Sequence, residues 1–193
     1  MSETDNTAAI IAACLRGEQT GFMALYDQYA SGLYRLCYSL LLNHEDAEDV
    51  TQESFVYAFK NLRRYDSSRA SFKTWLYTIA ICRCRNLYRR ARPVIDLSSL
   101  LGQLTAPHTE TPEAVLTQQS ARDLVEVGLR TLSPRLREAI VLRYGQGMTY
   151  REIAEVMGCP QKTAESRVRL AHEALRDLLQ PEGPGLLEEL LSI

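Results

Sequence analysis

The stretch that most restricts the fold is residues 149–175, TYREIAEVMGCPQKTAESRVRLAHEAL. Thr149 and Glu152 have the T-x-x-E spacing of a capping box, in which two side chains satisfy the free amides at a helix start. A short helix follows with Ile153, Ala154 and Met157 on its inward face. Gly158 marks a turn, and Pro160 opens a second helix whose inward row is Ala164, Val168, Ala171 and Leu175. This is the spacing of a helix-turn-helix, whose second helix enters the major groove of DNA. An ordinary helical hairpin shares the same local pattern. On the groove reading, the outer face presents Gln161, Lys162, Glu165, Ser166 and Arg169, with Arg167 on the flank.

The remainder reads as helix, with no run of strand-like alternation. A first helix is expected over 7–16, ending at Gly17. The segment FMALYDQYASGLYRLCYSLLL gives two helical stretches around Ser31-Gly32, with Phe22, Leu25, Tyr26, Tyr29, Leu33, Leu36, Cys37 and Leu40 inward. Asn43 caps the next helix. That helix buries Ala47, Val50, Phe55, Ala58, Phe59 and Leu62 and leaves Asp46, Asp49, Gln52 and Glu53 outside. Beyond Arg92-Pro93, the segment PVIDLSSLLGQLTAPHTETPEAV carries three prolines and no sustained period, and reads as a linker. A second helical block starts near Leu116. Within it, LSPRLREAIVLRYGQG is a helix capped by Ser133, with Pro134 in its first turn and Gly145 as its stop. The fold class is therefore all-α: two small helical domains joined by a flexible linker, the C-terminal one a helix-turn-helix. The boundaries fall at 1–92, 93–117 and 118–180, with a C-terminal extension over 181–193.

Charge is distributed unevenly along a chain whose net charge is only −2. Residues 45–53, EDAEDVTQE, hold five carboxylates and no cation, whereas residues 60–92 hold ten Lys and Arg against the single Asp66. Within the basic half, SFKTWLYTIAICRCRNLYRR interleaves aromatics with arginines. Phe72, Trp75, Leu76, Ile79, Ala80, Cys84 and Leu87 form a core stripe, and Lys73, Tyr77, Arg85 and Arg89 run down another face, broken only by Ile81. Such a ridge suits a polyanion whose bases can stack on it; a solvated basic face is the alternative. Two surfaces of opposite sign imply two different partners.

Several other classes are excluded or disfavoured. The chain has no apolar run of membrane-spanning length, and its start, MSETDNTAA, lacks a signal peptide's basic and apolar regions, so a cytoplasmic protein is expected. The five cysteines are odd in number and scattered, which fits a reducing compartment. Cys82 and Cys84, two apart on a helix, point to nearly opposite sides and cannot grip one metal ion. His44 with Glu45, Asp46, Glu48 and Asp49 surrounds a helix start without converging. No phosphate loop, catalytic triad or zinc spacing is present, so neither an enzyme, a cofactor nor a metal is expected.

Taken together, FMALYDQYASGLYRLCYSLLLNHEDAEDVTQESFVYAFKNL, SFKTWLYTIA and LSPRLREAIVLRYGQGMTYREIAEVMGCP…TAESRVRLAHEAL resemble, in that order, a bacterial extracytoplasmic-function sigma factor over roughly residues 8–180. The resemblance implies core RNA polymerase as partner, through the clamp helices of its largest subunit and the flap of its second-largest. It also implies promoter DNA, duplex opening, and an anti-sigma protein as a further partner. By resemblance, core binding falls to Asp46, Asp49, Gln52 and Phe55. The −10 element falls to a pocket of Tyr65, Asp66, Ser67 and Ser68, with Lys73, Tyr77, Arg85, Asn86, Arg89 and Arg90 on the strand. The −35 element falls to Gln161, Lys162, Thr163, Glu165, Ser166, Arg167 and Arg169. Family members often carry Asn at Cys82, Asp at Asn86, Gly at Lys162 and a basic residue at Glu165, so the resemblance fixes no particular −10 sequence, and either an altered −35 preference or a weaker −35 dependence is expected.

The linker of roughly 24 residues reaches about 80 Å when extended, and two turns of DNA span about 70 Å. The two domains can thus occupy separate promoter elements without touching. The tail QPEGPGLLEELLSI is either a regulatory latch, or a frayed end or locally packed helix. The competing functions are a stand-alone helix-turn-helix regulator, which leaves the acidic and basic-aromatic helices idle, and a sigma-like decoy, which has no use for a melting surface.

Overall fold

A computed structural model describes residues 3–91 and 120–179. Among these residues there is helix and no strand, in eight α-helices. The expected linker and C-terminal tail lie outside the described residues.

The N-terminal block holds α1 (Glu3–Leu15), α2 (Gln19–Leu41), α3 (His44–Lys60) and α4 (Phe72–Ala91). Helix α1 begins earlier than expected and ends at Gly17, whose φ of +84° lets the amides of Gly17 and Glu18 turn back to Cys14 and Ala13. The expected break at Ser31-Gly32 does not occur: α2 is continuous for 23 residues. Gly32 serves close approach instead, because a Cβ there would lie 2.9 Å from the Tyr77 hydroxyl. Asn43 caps α3 as expected, its Oδ1 accepting the Asp46 amide at 3.0 Å. Leu33, Leu36, Leu40, Ala47, Ala58, Leu76 and Ala80 are fully buried where α2, α3 and α4 meet. At roughly 25 cal/mol per Å² of apolar surface, that burial is the main term opposing chain entropy. Tyr26, expected inward, is 44% exposed and rests on Phe55 at the edge of this core.

The C-terminal block holds α5 (Ser120–Thr131), α6 (Pro134–Ile140), α7 (Tyr150–Met157) and α8 (Gln161–Leu179). The helix expected to run to Gly145 instead widens into a π turn over Val141–Gly145. The break falls at Gly147, with φ +65°, where the Met148 amide returns to the Leu142 carbonyl. Ser133 sits ahead of α6 but makes no side-chain cap bond. The α7–α8 pair matches the sequence reading closely. Ile153, Ala154, Met157, Ala164, Val168, Ala171 and Leu175 are all buried, and Gly158 turns the chain at φ +64°.

The two blocks touch, although the linker is long enough for them to sit on separate promoter elements. Helix α7 lies against α4, and the π turn lies against α2. Arg137 donates to the Leu40 carbonyl at 2.8 Å, and Tyr38 donates to Glu126 at 3.2 Å.

Candidate nucleic-acid interface

Ser71 starts α4 by accepting the Thr74 amide, and the loop before it is held in place from within. The Tyr65 hydroxyl donates to the Ala70 carbonyl at 3.1 Å, closing the loop into a ring. Asp66 Oδ1 accepts from both the amide (2.9 Å) and the hydroxyl (2.7 Å) of Ser68, and these bonds hold the Asp66 carboxyl below its usual range. Tyr65 rests on Phe72 and Trp75, with ring centroids 5.6 and 5.4 Å away. The result is a recess of about 410 Å³ lined by Arg64, Tyr65, Asp66, Arg69, Trp75 and Glu155. Its lining combines the rings of Tyr65 and Trp75, the cations Arg64 and Arg69, and the carboxylates of Asp66 and Glu155.

Ser67 and Ser68 are exposed beside this recess, as are Asn86, Arg89 and Arg90 at the far end of α4, where Arg89 donates to Asn86 Oδ1 at 2.6 Å. The middle of α4 departs from the expected open ridge. Tyr77 is only 2% exposed and Ile81 is fully buried, because the core covers one face of α4 and the C-terminal block covers the other. Burial pushes the Tyr77 phenol well above its ordinary value, so it stays a hydroxyl and donates to Gln146 Oε1 at 2.8 Å. Lys73 lies over the Tyr77 ring and donates to the Gln146 carbonyl at 2.9 Å. Arg85 grips Glu138 with both arms, at 2.9 and 2.7 Å.

The acidic face of α3 carries exposed Asp46, Asp49, Gln52 and Glu53. Asp49, Gln52 and Glu53 line a shallow recess with Val56 and Arg83, and Arg83 pairs with Glu53 at 2.7 Å while stacking on Tyr57. Phe55, expected inward by its helical period and assigned to core binding by resemblance, is 2% exposed and packs against Tyr26 and Phe59. It therefore lies beneath the exposed side chains of this helix and is not itself exposed. Val56, Tyr57 and Arg83 are members of this surface that the sequence reading missed. The signal was an apolar pair at the C-terminal end of an otherwise acidic face.

On α8, Gln161, Lys162 and Arg169 are exposed, and Thr163, Glu165, Ser166 and Arg167 are half-buried. Gln161 donates to Glu165 at 2.9 Å, and Arg169 pairs with Glu173 at 2.8 Å. The helix that braces α8 starts with a complete capping box: the Glu152 amide donates to Thr149 Oγ1, and the Thr149 amide donates to Glu152. Burial pushes the Glu152 carboxyl up, but Thr149's donors outweigh it and hold the group below its usual range. Its stabilising contribution is therefore present above the unfolded carboxyl's pKa and fades as pH falls through the lower folded value. Thr149→Ala will cost about 1–2 kcal/mol. Hydrogen exchange over 150–157 will accelerate, with α1–α4 unaffected.

Comparison with known families settles what these surfaces belong to. A model of sigma-70 region 2 matches residues 25–94, and one of sigma-70 region 4 matches residues 122–175. The chain belongs to the extracytoplasmic-function branch of the sigma-70 family. It is 30% identical to the sigma factor SigW of Bacillus subtilis, over 86% of this chain and 92% of that protein. It is 32% identical to the sigma-E factor of Escherichia coli K12, over 94% of this chain and 98% of that protein. Among solved structures, CnrH bound to the cytosolic domain of CnrY is similar, with a TM-score of 0.68 and 28% identity, covering 91% of this chain and 97% of the other. The Bartonella quintana sigma factor RpoE bound to the anti-sigma factor NepR is also similar, with a TM-score of 0.65 and 28% identity, covering 84% and 98%. This protein is accordingly a sigma factor, of a DNA-binding family that acts in transcription initiation and is not a family of catalysts. Among the described residues, no helix is long and apolar enough to cross a membrane, and no cluster of side chains could hold a metal ion.

Proposed function

We propose that this sigma factor divides its work among three surfaces. The acidic face of α3, with Asp46, Asp49 and Gln52, docks on a basic surface of core RNA polymerase, and Phe55 supports it from beneath. The 65–68 loop and α4 capture the −10 element as single strand, and α8 reads the −35 element as duplex. On this reading the domains are 1–92 and 118–180, joined by 93–117, with 181–193 as an extension, and the protein works in the cytoplasm beside its polymerase. An anti-sigma partner is proposed from the two structural relatives, each solved with a protein bound.

The observation that carries this reading is the recess beside Tyr65 and Asp66. Flipping a base out of the stack costs a few kcal/mol, about what stacking and polar contacts to one extruded base return. The rings of Tyr65 and Trp75, the Asp66 acceptor and the cations Arg64 and Arg69 supply both terms. The arginines attract phosphate without regard to sequence, so selectivity rests with the recess.

On α8, Glu165 stands where a phosphate-binding cation would be unselective. Its carboxylate, which accepts from Gln161, accepts a further hydrogen bond from a cytosine amino group. Glu165→Ala will lower discrimination at one −35 position by about 1–3 kcal/mol, read by competition binding of promoter variants.

The overall test is transcription from fragmented host DNA by purified core polymerase, with and without the protein, mapping RNA 5′ ends. New starts that share two upstream elements are expected. Duplex binding without new starts would instead favour a stand-alone regulator.

A further inference from the structure

We propose that Ser67 is a phosphorylation site, modified by a serine kinase that uses a nucleoside triphosphate, and that its phosphate is held by Arg64 and Arg69. The consequence for promoter capture rests on the assignment of the 65–68 loop to the −10 strand.

The hydroxyls of this loop are not equivalent. Ser68 donates to Asp66 Oδ1 at 2.7 Å, and Ser71 shares a hydrogen bond with Thr74 at 2.9 Å while accepting the Thr74 amide at 3.1 Å. Ser67 is exposed, and among the described residues its hydroxyl has no hydrogen-bond partner. Its backbone belongs to a turn and to no helix, so an enzyme can draw it into a cleft without unwinding an element. The guanidiniums around it are equally uncommitted. Arg63, Arg64 and Arg69 are exposed, and among the described residues none makes an ion pair or a side-chain hydrogen bond. Arg83, Arg85, Arg130 and Arg169, by contrast, are each paired with a carboxylate.

In the transfer, Ser67 Oγ attacks the γ-phosphorus of the nucleotide and the bond to the bridging oxygen breaks. The nucleoside diphosphate leaves, and the hydroxyl proton passes to a base of the kinase. Arg63 and Arg64, just ahead of Ser67, offer cations to an acidic docking surface on that enzyme. The product carries roughly −1.5 to −2 charges at pH 7 and three acceptor oxygens. Arg64 and Arg69 lie three residues before and two residues after it, and both border the recess beside Tyr65. Their planar forks suit a phosphate. Residues 63–69 hold three arginines against Asp66, so the added charge cancels the excess of the loop. The recess then has little left with which to attract a nucleic-acid backbone. The recess on α3 is lined by Asp49, Gln52, Glu53, Val56 and Arg83, with no loop residue, so docking on polymerase survives. The modified protein holds polymerase and does not open a promoter.

The test has two parts. The protein is isolated from its own cells in growth, starvation, heat and oxidant stress, and cleavage after Arg64 and Arg69 frees residues 65–69 for mass spectrometry. Phosphate on Ser67 is expected in at least one condition. Phosphate on Ser68 alone, or on neither serine in any condition, would overturn the proposal. The full chain is also produced with phosphoserine encoded at residue 67. Phosphorus NMR should place the second phosphate pKa below its free value of about 6, and Arg64→Gln with Arg69→Gln should return it there. A value of about 6 with both arginines present would remove the cradle. Binding of a fluorescent single-stranded DNA of mixed sequence should weaken about 10–30-fold at roughly 0.1 M salt. The slope of log affinity against log salt should fall by about 1.4, which is two phosphate contacts at about 0.7 each. Association with core polymerase should stay within about twofold, since surface substitutions away from a contact have little effect. Unchanged probe binding by the phosphorylated chain would sink the regulatory consequence. If the unmodified chain neither binds the probe nor initiates transcription, the strand reading fails, while mass spectrometry and the phosphate titration still judge the site.

Discussion

Phe72→Ala will destabilise the N-terminal block by about 3–5 kcal/mol and lower its melting temperature by roughly 12–40 °C. Phe72 is 2% exposed and lies between three aromatic rings, Tyr29, Tyr65 and Trp75, at centroid distances of 5.3, 5.6 and 5.8 Å. Removing its ring leaves a cavity under Tyr65, whose hydroxyl closes the loop by donating to the Ala70 carbonyl. The loss should therefore be functional as well as thermodynamic. At temperatures where the variant remains folded, it will bind core polymerase but fail to open duplex, as read by the fluorescence of 2-aminopurine placed in the −10 element. Phe72→Leu, which refills part of the cavity, should recover about half of the stability. A variant that melts normally and opens promoters would show that the aromatic pedestal does not support the recess.

Reversing the charge of α3 has the second large effect. Asp49→Lys combined with Gln52→Lys will slow association with core polymerase by about 10–100-fold at low salt, because opposite surface charge steers encounter. Both positions are exposed, so the melting temperature should move by less than about 2 °C. The rate should also lose its salt dependence, since screening acts only on the attraction that has been removed. Biosensor association rates at two ionic strengths check both statements. Unchanged association would move polymerase docking to another surface.

Why some of this was readable in advance and some was not follows from the range of the interactions involved. The capping box of Thr149 and Glu152, the Asn43 cap and the turns at Gly17 and Gly158 all join residues within a few positions of one another. So do the inward rows of α7 and α8, since helical period depends only on the local backbone. The sequence pattern at Ser31-Gly32 misled for a matching reason. A glycine beside a serine reads as a break when only neighbours are considered, yet its cause lies at Tyr77 and Gln146, far along the chain.

Glu138 illustrates the other limit. It sits three and four residues before the buried Val141 and Leu142, an inward position for a charged side chain, which is a sign in the sequence that a partner must exist. Arg135, three residues before it, supplies one partner at 3.3 Å, but nothing local points to Arg85, 53 residues earlier.

The sequence by itself determined the all-helical class, the Asn43 and Thr149 caps, the inward rows of the helix-turn-helix and the two patches of opposite charge, because each is set by neighbours within a turn or two of helix. Only the tertiary structure decided which faces of α4 stay open. A side chain's exposure depends on whatever packs over it, and what packs over Lys73, Tyr77 and Arg85 comes from residues 53 to 73 positions further along the chain.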